Sequence, residues 1–401
     1  MQPSSNRKLL IAFDVRSISS AGWLAGDHYL RNLFVALRSL DSDQRPEIAL
    51  LVANQPQSDG HTLTPYVDRL LEVPPDPLWF RLWKRLCASF RLTKRLMPRS
   101  PLATYLRKHQ VDCVFVQGEF GPGLGIPLLS WIVDFQHVRM PSMFSPKEVQ
   151  GRNEFFARIA ERADRVILSS RDALRDFQCF APRSAHKARV LSFVAHIPEG
   201  IFDSHSSDVC SYYHLPQRFV YLPNQFWKHK NHGTVIQALS LVKDQHLDIT
   251  VVCTGSTSEV RDSLYFSNLL SAISERDLRN NLTILGMVPH NHVFQLMRQS
   301  LAVLQPSLFE GRSTTVEEAK SVGKSVILSD IPVHREQDPP DAVYFDPHDP
   351  EALAVCLVRA FRERKPGPDY ELEAIARERL PKRIDQFGRT FYEIAREVVP
   401  R

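Results

Sequence analysis

Residues 301–330 read LAVLQPSLFEGRSTTVEEAKSVGKSVILSD. The stretch opens on a short apolar run, LAVLQPS (301–307), and closes on another, SVILSD (325–330), with a helical pattern between them. Apolar runs of this length that do not alternate suit strands buried on both faces, and helices between such strands suit a parallel sheet. The same style continues in both directions. Upstream lie LLIAFDV (9–15), EIALLVA (47–53), DCVFVQG (112–118), LLSWIVDF (128–135), RVILSS (165–170), RFVYLPN (218–224), DITVVCTG (248–255) and NLTILG (281–286), and downstream lies AVYFD (342–346). The expected fold class is α/β, with two doubly wound Rossmann-like domains. Residues 1–195 form the first and 218–380 the second. A connector at 196–217 lacks clear periodicity, and a final helical segment at 381–401 is expected to cross back to the first domain.

Composition narrows the class. A chain of 401 residues exceeds one ordinary core, which favours two domains. Hydrophobic content of 43% and charged content of 24% are those of a globular protein, and no apolar run reaches the roughly 20 residues of a membrane-spanning helix. The start, MQPSSNRKLLIAFDV, reads as a buried first strand rather than a signal peptide. Six cysteines lie far apart with no CxxC pair, which fits free thiols in a reducing cytoplasm and argues against a zinc site. HKNH at 229–232 and HNH at 290–292 lack the helix-facing spacing and carboxylate partner of a metal centre, so no metal is expected.

Open parallel sheets bind ligands beyond the carboxyl ends of their strands. The loops there hold Gly22 and Gly26, Asp134 to His137, Asn224 to Lys230, Gly255, Gly286 and the residues after Leu308. In the last, Glu310 and Glu318 stand eight positions apart around Gly311, Arg312, Ser313, Thr314 and Thr315. Thr314 with Glu317, and Thr315 with Glu318, have the spacing of capping boxes, a purely structural use of these residues. A helix start preceded by glycine is also a ready anion site, and flanking carboxylates can accept charge-assisted bonds from hydroxyls.

FEGRSTTVEEAKSVGKSVILSD resembles the E-x7-E region of retaining nucleotide-sugar glycosyltransferases, glycosyltransferase family 4 with the GT-B fold. The resemblance is strongest from about 218 to 361. YLPNQFWKHKNHGTVIQAL is similar to the segment whose basic residue binds the donor diphosphate, LTILGMVPHNHVFQLMRQS to the loop and helix beside the nucleobase, and AVYFDPHDPEALAVCLVRAF to the closing strand and helix. SAGWLAGDHYLRNLFVAL resembles a glycine-rich acceptor-side loop, and WIVDFQHVRMPSMFS a central loop. The resemblance implies two domains facing across a cleft. It implies that Glu310 contacts the donor sugar and Glu318 the ribose, with the Gly311 to Thr315 backbone against the sugar and diphosphate. Lys230 then matches the diphosphate lysine, His137 a histidine near the transferred sugar, Gly22 and Gly26 the loop near the phosphates, and Met287 and Val288 the base-side loop. Where the family usually carries an arginine, five positions before the lysine, this chain has Gln225 beside Asn224. The missing charge is then expected from Lys228 or Arg312.

The implied chemistry transfers a sugar from a nucleoside diphosphate sugar to a saccharide or lipid-linked hydroxyl. Anomeric configuration is retained, and neither cofactor nor metal is required. Amides and Lys230 would stabilise the charge that builds on the departing diphosphate. The resemblance also leaves room for a non-catalytic nucleotide-sugar binder and for an epimerase or hydrolase of the same fold. Read singly, Lys230 fits a solvated surface lysine, and His137 fits a residue that fixes its loop. Residues 77–100, PLWFRLWKRLCASFRLTKRLMPRS, hold seven Lys or Arg and no acid, with Trp79, Leu82, Trp83, Leu86 and Phe90 at helical spacing. That pattern fits a helix packed on the sheet with a solvated basic face. It also fits an amphipathic helix on an anionic membrane, which would place the protein in the cytoplasm, peripheral at the inner face. No nucleic-acid-binding module surrounds the patch.

Overall fold

The computed structural model describes residues 7–16, 24–53, 62–77, 100–120, 124–203, 207–259 and 261–399. Gly22 and almost all of the basic stretch at 77–100 lie outside them. The chain divides into two compact units. One comprises Met1–Pro141, Ser145–Phe193 and Ile384–Arg401; the other comprises Ser142–Phe144 and Val194–Arg383. Among the described residues no helix is long and apolar enough to cross a membrane.

The first unit holds a seven-stranded parallel sheet. Its strands are β1 (Leu10–Asp14), β2 (Glu47–Ala53), β3 (Arg69–Val73), β4 (Cys113–Val116), β5 (Leu128–Ile132), β6 (Arg165–Leu168) and β7 (Ala188–Val190), in the order β3-β2-β1-β4-β5-β6-β7. The second unit holds β8 (Val220–Pro223), β9 (Val251–Thr254), β10 (Leu282–Ile284), β11 (Val303–Gln305), β12 (Val326–Ser329) and β13 (Ala342–Phe345), in the order β10-β9-β8-β11-β12-β13. Counted within its own unit, the first sheet runs 3-2-1-4-5-6-7 and the second 3-2-1-4-5-6, the doubly wound order whose switch point lies between the first and fourth strands. These points are β1/β4 and β8/β11.

The central strands are apolar throughout because helices cover both faces. In the second sheet Leu222, Val251 and Leu304 pack on one side against Leu239 of α7 (His232–Asp244) and Leu357 of α12 (Pro350–Glu363). On the other side Tyr221, Val303 and Val326 meet Phe294 of α9 (His290–Gln299) and Val316 and Val322 of α10 (Thr314–Val322). The segment 196–217 adds Ile197, Ile201 and Val209 to that same core, so its lack of periodicity conceals packed structure. The edge strands β3 and β7 escape the apolar-run reading. β3 keeps three of its five residues exposed, and β7 is three residues long.

The last helix, α13 (Tyr370–Arg396), begins well before residue 381 and includes Pro381. Its residues up to Arg383 belong to the second unit and those from Ile384 to the first. There Phe391 is fully buried beside Phe13 and Phe115, with ring centroids 5.7 Å and 5.6 Å away.

Candidate functional site

The carboxyl ends of β8 and β11 deliver Asn224 and Gln305 side by side at the switch point of the second sheet, where Asn224 Nδ2 donates to Gln305 Oε1 at 2.6 Å. The close approach of β9 to this end depends on Gly255. At φ +135° it lies in a region that disfavours side chains, and a Cβ would stand 2.3 Å from the Asn224 carbonyl oxygen. After β8 the chain makes a 3-10 turn at Lys228–Lys230 and enters α7 through Asn231, which holds φ 61° and donates its side-chain amide to the Pro306 and Pro347 carbonyls.

That turn places Lys230 on Glu310. Lys230 Nζ donates to Glu310 Oε1 at 2.6 Å, with the two side chains only 13% and 9% exposed. Gln305 Nε2 at 2.8 Å and Ser307 Oγ at 2.7 Å donate to the same oxygen. Burial pushes the Glu310 carboxyl up, and the Lys230 charge and hydrogen bond outweigh it, so the group sits below the ordinary glutamate range. His229 and His334 also face this pair. Burial, reinforced by Lys230, holds His229 down to about 3, and burial holds His334 down to about 4. Both rings are therefore neutral at physiological pH, and Lys230 is the cation that keeps Glu310 ionised. The Nδ1 of His334 lies 2.9 Å from the Ser329 carbonyl oxygen, which fixes that nitrogen as the proton carrier.

Helix α10 begins one residue earlier than the threonine spacing suggests. Ser313 is its N-cap: its Oγ accepts from the Val316 amide at 3.3 Å and from Gln305 Nε2 at 3.0 Å. Neither threonine-based capping box forms. Thr314 opens the helix, and Thr315 Oγ1 donates to the Pro223 carbonyl at 3.2 Å. Glu317 is buried and accepts from Arg312 at 2.6 Å, from Gln337 Nε2 at 3.1 Å and from Arg383. Arg312, its side chain 7% exposed, also lies 3.7 Å from Glu336. Its charge is thus spent inside the fold, where the sequence expectation had it serving phosphate. Glu318, on the next position of α10, meets His290 Nε2 at 3.1 Å.

The remaining expected residues fall as follows. Gly311 is buried in the turn before the cap, and Lys228 is exposed. Gln225 uses its Oε1 to accept from the Ser256 amide at 2.8 Å. Met287 is exposed and Val288 half-buried in the loop before α9. Gly26 is buried within α1 (Leu24–Arg38) of the first unit. His137 also belongs to the first unit, in the short α3 (Gln136–Arg139), with Nε2 3.1 Å from Asn153 Oδ1 and its ring edge-on to Phe156. Burial lowers its pKa. Three residues of the second-unit site went unnoticed in the sequence: Gln305, Ser307 and Gln337. Gln305 carried a signal, a polar residue inside the apolar strand LAVLQ that proves fully buried.

This arrangement can do two things. The Lys230 ammonium has three donors and gives one to Glu310, and among the described residues the other two meet no partner and can face an anion. Glu310, ionised and largely buried, can accept from a hydroxyl.

Residues 215–376 match the family model described as "Glycosyl transferases group 1". The chain is 30% identical over 123 residues to the O-antigen chain mannosyltransferase RfbU of Salmonella typhimurium, a match spanning 31% of this chain and 33% of that protein. Among solved structures it is similar to a glycosyltransferase from Rickettsia africae ESF-5, with TM-score 0.66 and 16% identity, covering 98% of this chain and 99% of that one. It is also similar to Anabaena Alr3699/HepE in complex with UDP-glucose, with TM-score 0.64 and 17% identity, covering 97% and 99%. WaaG, a glycosyltransferase involved in lipopolysaccharide biosynthesis, aligns with TM-score 0.57 and 14% identity, covering 96% and 98%. At such identities these likenesses speak for the fold, and the family match speaks for the second sheet and its motif. The chain therefore has the α/β architecture of GT-B glycosyltransferases, and its residues 215–376 are similar to the glycosyl transferases group 1 family.

Proposed function

We propose that the protein is a retaining glycosyltransferase that moves a hexosyl group from a nucleoside diphosphate sugar to a hydroxyl of a saccharide or lipid-linked acceptor, in the synthesis of a cell-surface polysaccharide or glycolipid. The observation that carries this reading is the Lys230–Glu310 pair at the switch point of a sheet that matches the family model. The amides of Gly311, Arg312, Thr314 and Thr315 and the remaining donors of Lys230 bind the diphosphate. Glu310 orients the sugar and offsets positive charge as the glycosidic bond breaks. Glu318 takes the ribose hydroxyls, and Met287 and Val288 lie beside the base. The acceptor attacks from the leaving-group face, and a donor phosphate oxygen takes its proton. Lys230 and Lys228 carry the positive charge, so chelators leave turnover unchanged. The relationship to an O-antigen mannosyltransferase and the likeness to WaaG support a surface-glycan acceptor. We place the enzyme in the cytoplasm, at the inner face of the membrane.

The test is incubation of the purified chain with a panel of nucleotide sugars, measuring released nucleoside diphosphate. Slow, donor-specific release without acceptor is expected. Glu310→Gln should lower turnover roughly 100- to 1000-fold. Binding of a donor without any release, in the presence of acceptors, would favour a nucleotide-sugar binding protein. Unchanged turnover in Glu310→Gln would remove the role given to that carboxylate.

A further inference from the structure

Glu310 is held unevenly. Lys230 Nζ, Gln305 Nε2 and Ser307 Oγ all donate to its Oε1, at 2.6, 2.8 and 2.7 Å. A carboxylate oxygen has two lone-pair positions, so three donors saturate it. Among the described residues nothing donates to Oε2, yet that atom is not among the buried atoms left without a partner, so it keeps an opening to solvent.

Gln305 is the organiser of this asymmetry. It is fully buried at the end of β11. Its Oε1 accepts from Asn224, the residue just after β8, and its Nε2 is shared among Glu310, Ser313 Oγ and, at 3.3 Å, Ser307 Oγ. The amide can face only one way, because the reverse orientation would set its oxygen against the Glu310 carboxylate. One side chain thereby links both strands of the switch point, the cap of α10 and the carboxylate.

We propose that Gln305 is a positioning residue which, with Ser307 and Lys230, ties down Oε1 of Glu310 and leaves Oε2 as the one oxygen offered to a ligand hydroxyl. This rests on the glycosyltransferase reading for its substrate, and not for its geometry. Three variants separate the two. Gln305→Leu removes the donor and the link to Asn224. Turnover should fall about 100-fold, the cost of a misplaced catalytic group, while KM for the donor changes less than about threefold. Ser307→Ala, which disturbs packing little, should lower turnover about tenfold. Gln305→Glu puts a second carboxyl where the amide stood. Like charges cannot both ionise at that distance, so the acid limb of the pH–rate profile should move up by about one unit or more.

The same shift should appear without any substrate, in the 13Cδ titration of Glu310, assigned by its absence from Glu310→Gln. Wild-type chain should titrate below the ordinary glutamate range, and Gln305→Glu about one unit or more higher. An unmoved Glu310 titration in Gln305→Glu overturns the proposal whether or not a donor has been found. Wild-type turnover in both Gln305→Leu and Ser307→Ala overturns it as well. No turnover of any donor by wild type, with the titration shifted, overturns the reading of function and leaves the positioning role standing.

Discussion

Lys230 and Glu310 are both largely removed from water, so each is the other's main compensation. Breaking such a pair by removing one partner commonly costs about 3–5 kcal/mol, because the remaining charge is left buried. Lys230→Ala should therefore destabilise the second unit by about 3 kcal/mol and raise the Glu310 pKa, both measurable by urea unfolding at neutral and mildly acidic pH. The buried histidines add a pH dependence of definite sign. His229 and His232 are held down to about 3 and His334 to about 4, in each case chiefly by burial. In the unfolded chain all three take protons near pH 6.5, while in the fold they stay neutral. The unfolded state thus binds more protons below pH 6.5, and stability that is complete above that value falls as the solution is acidified. Each ring contributes about 2 kcal/mol of loss by pH 5, from about 1.4 kcal/mol per unit. Unfolding midpoints should drop steadily from pH 7 to pH 5, and less steeply in His334→Asn. A flat profile would mean that these rings are reached by protons in the fold.

Helix α10 shows how an element can be legible while its contacts are not. The spacing of hydroxyls and glutamates announced a helix start, and a helix starts there. The spacing nevertheless offered two registers for the cap, at Thr314 and at Thr315, and the fold took neither. Ser313 won because Gln305 and Gln337 reach it from β11 and from α11 (Pro332–Gln337). Glu317 was drawn away to Arg312 and Arg383. Ser313→Ala should cost about 1 kcal/mol as a lost cap. Glu317→Ala should cost about 3–5 kcal/mol, since it strands two partly buried guanidinium groups. Urea unfolding measures both, and equal losses would mean that the buried network contributes no more than the cap. The helix ends at Gly323, φ +77°, where a Cβ would stand 2.5 Å from the Leu372 carbonyl oxygen of α13. Strands divide in the same manner. Most, the edge strands β10 and β13 included, were plain as apolar runs, whereas β3 was not, because it exposes three of its five residues, and β7 was not, because its three residues carry Arg189 in the middle.

At the scale of the molecule, the end of α13 supplies part of the first unit's core. Phe387 and Phe391 are buried there, and Glu397 takes hydrogen bonds from Arg165 at 2.6 Å and Arg189 at 2.7 Å. Deleting residues 384–401 should uncover Phe13 and Phe115 and destabilise the first unit by about 3–5 kcal/mol for each phenylalanine lost. The expected readout is rapid proteolysis of the first unit in the truncated chain, and unchanged protease resistance would refute it. The basic stretch at 77–100 lies almost wholly outside the described residues, so its membrane reading rests on sequence pattern alone. By itself the sequence determined the class of fold, the two parallel sheets and the place of the motif between β11 and α10. All of these follow from the spacing of apolar residues along the chain. The tertiary structure alone decided that Asn224, just beyond β8, would meet Gln305 of β11, that three donors would converge on one oxygen of Glu310, and that Arg312 would turn inward to Glu317. Such contacts join residues up to 81 positions apart, and hydrogen bonds over that separation exist only once parallel strands bring their ends together.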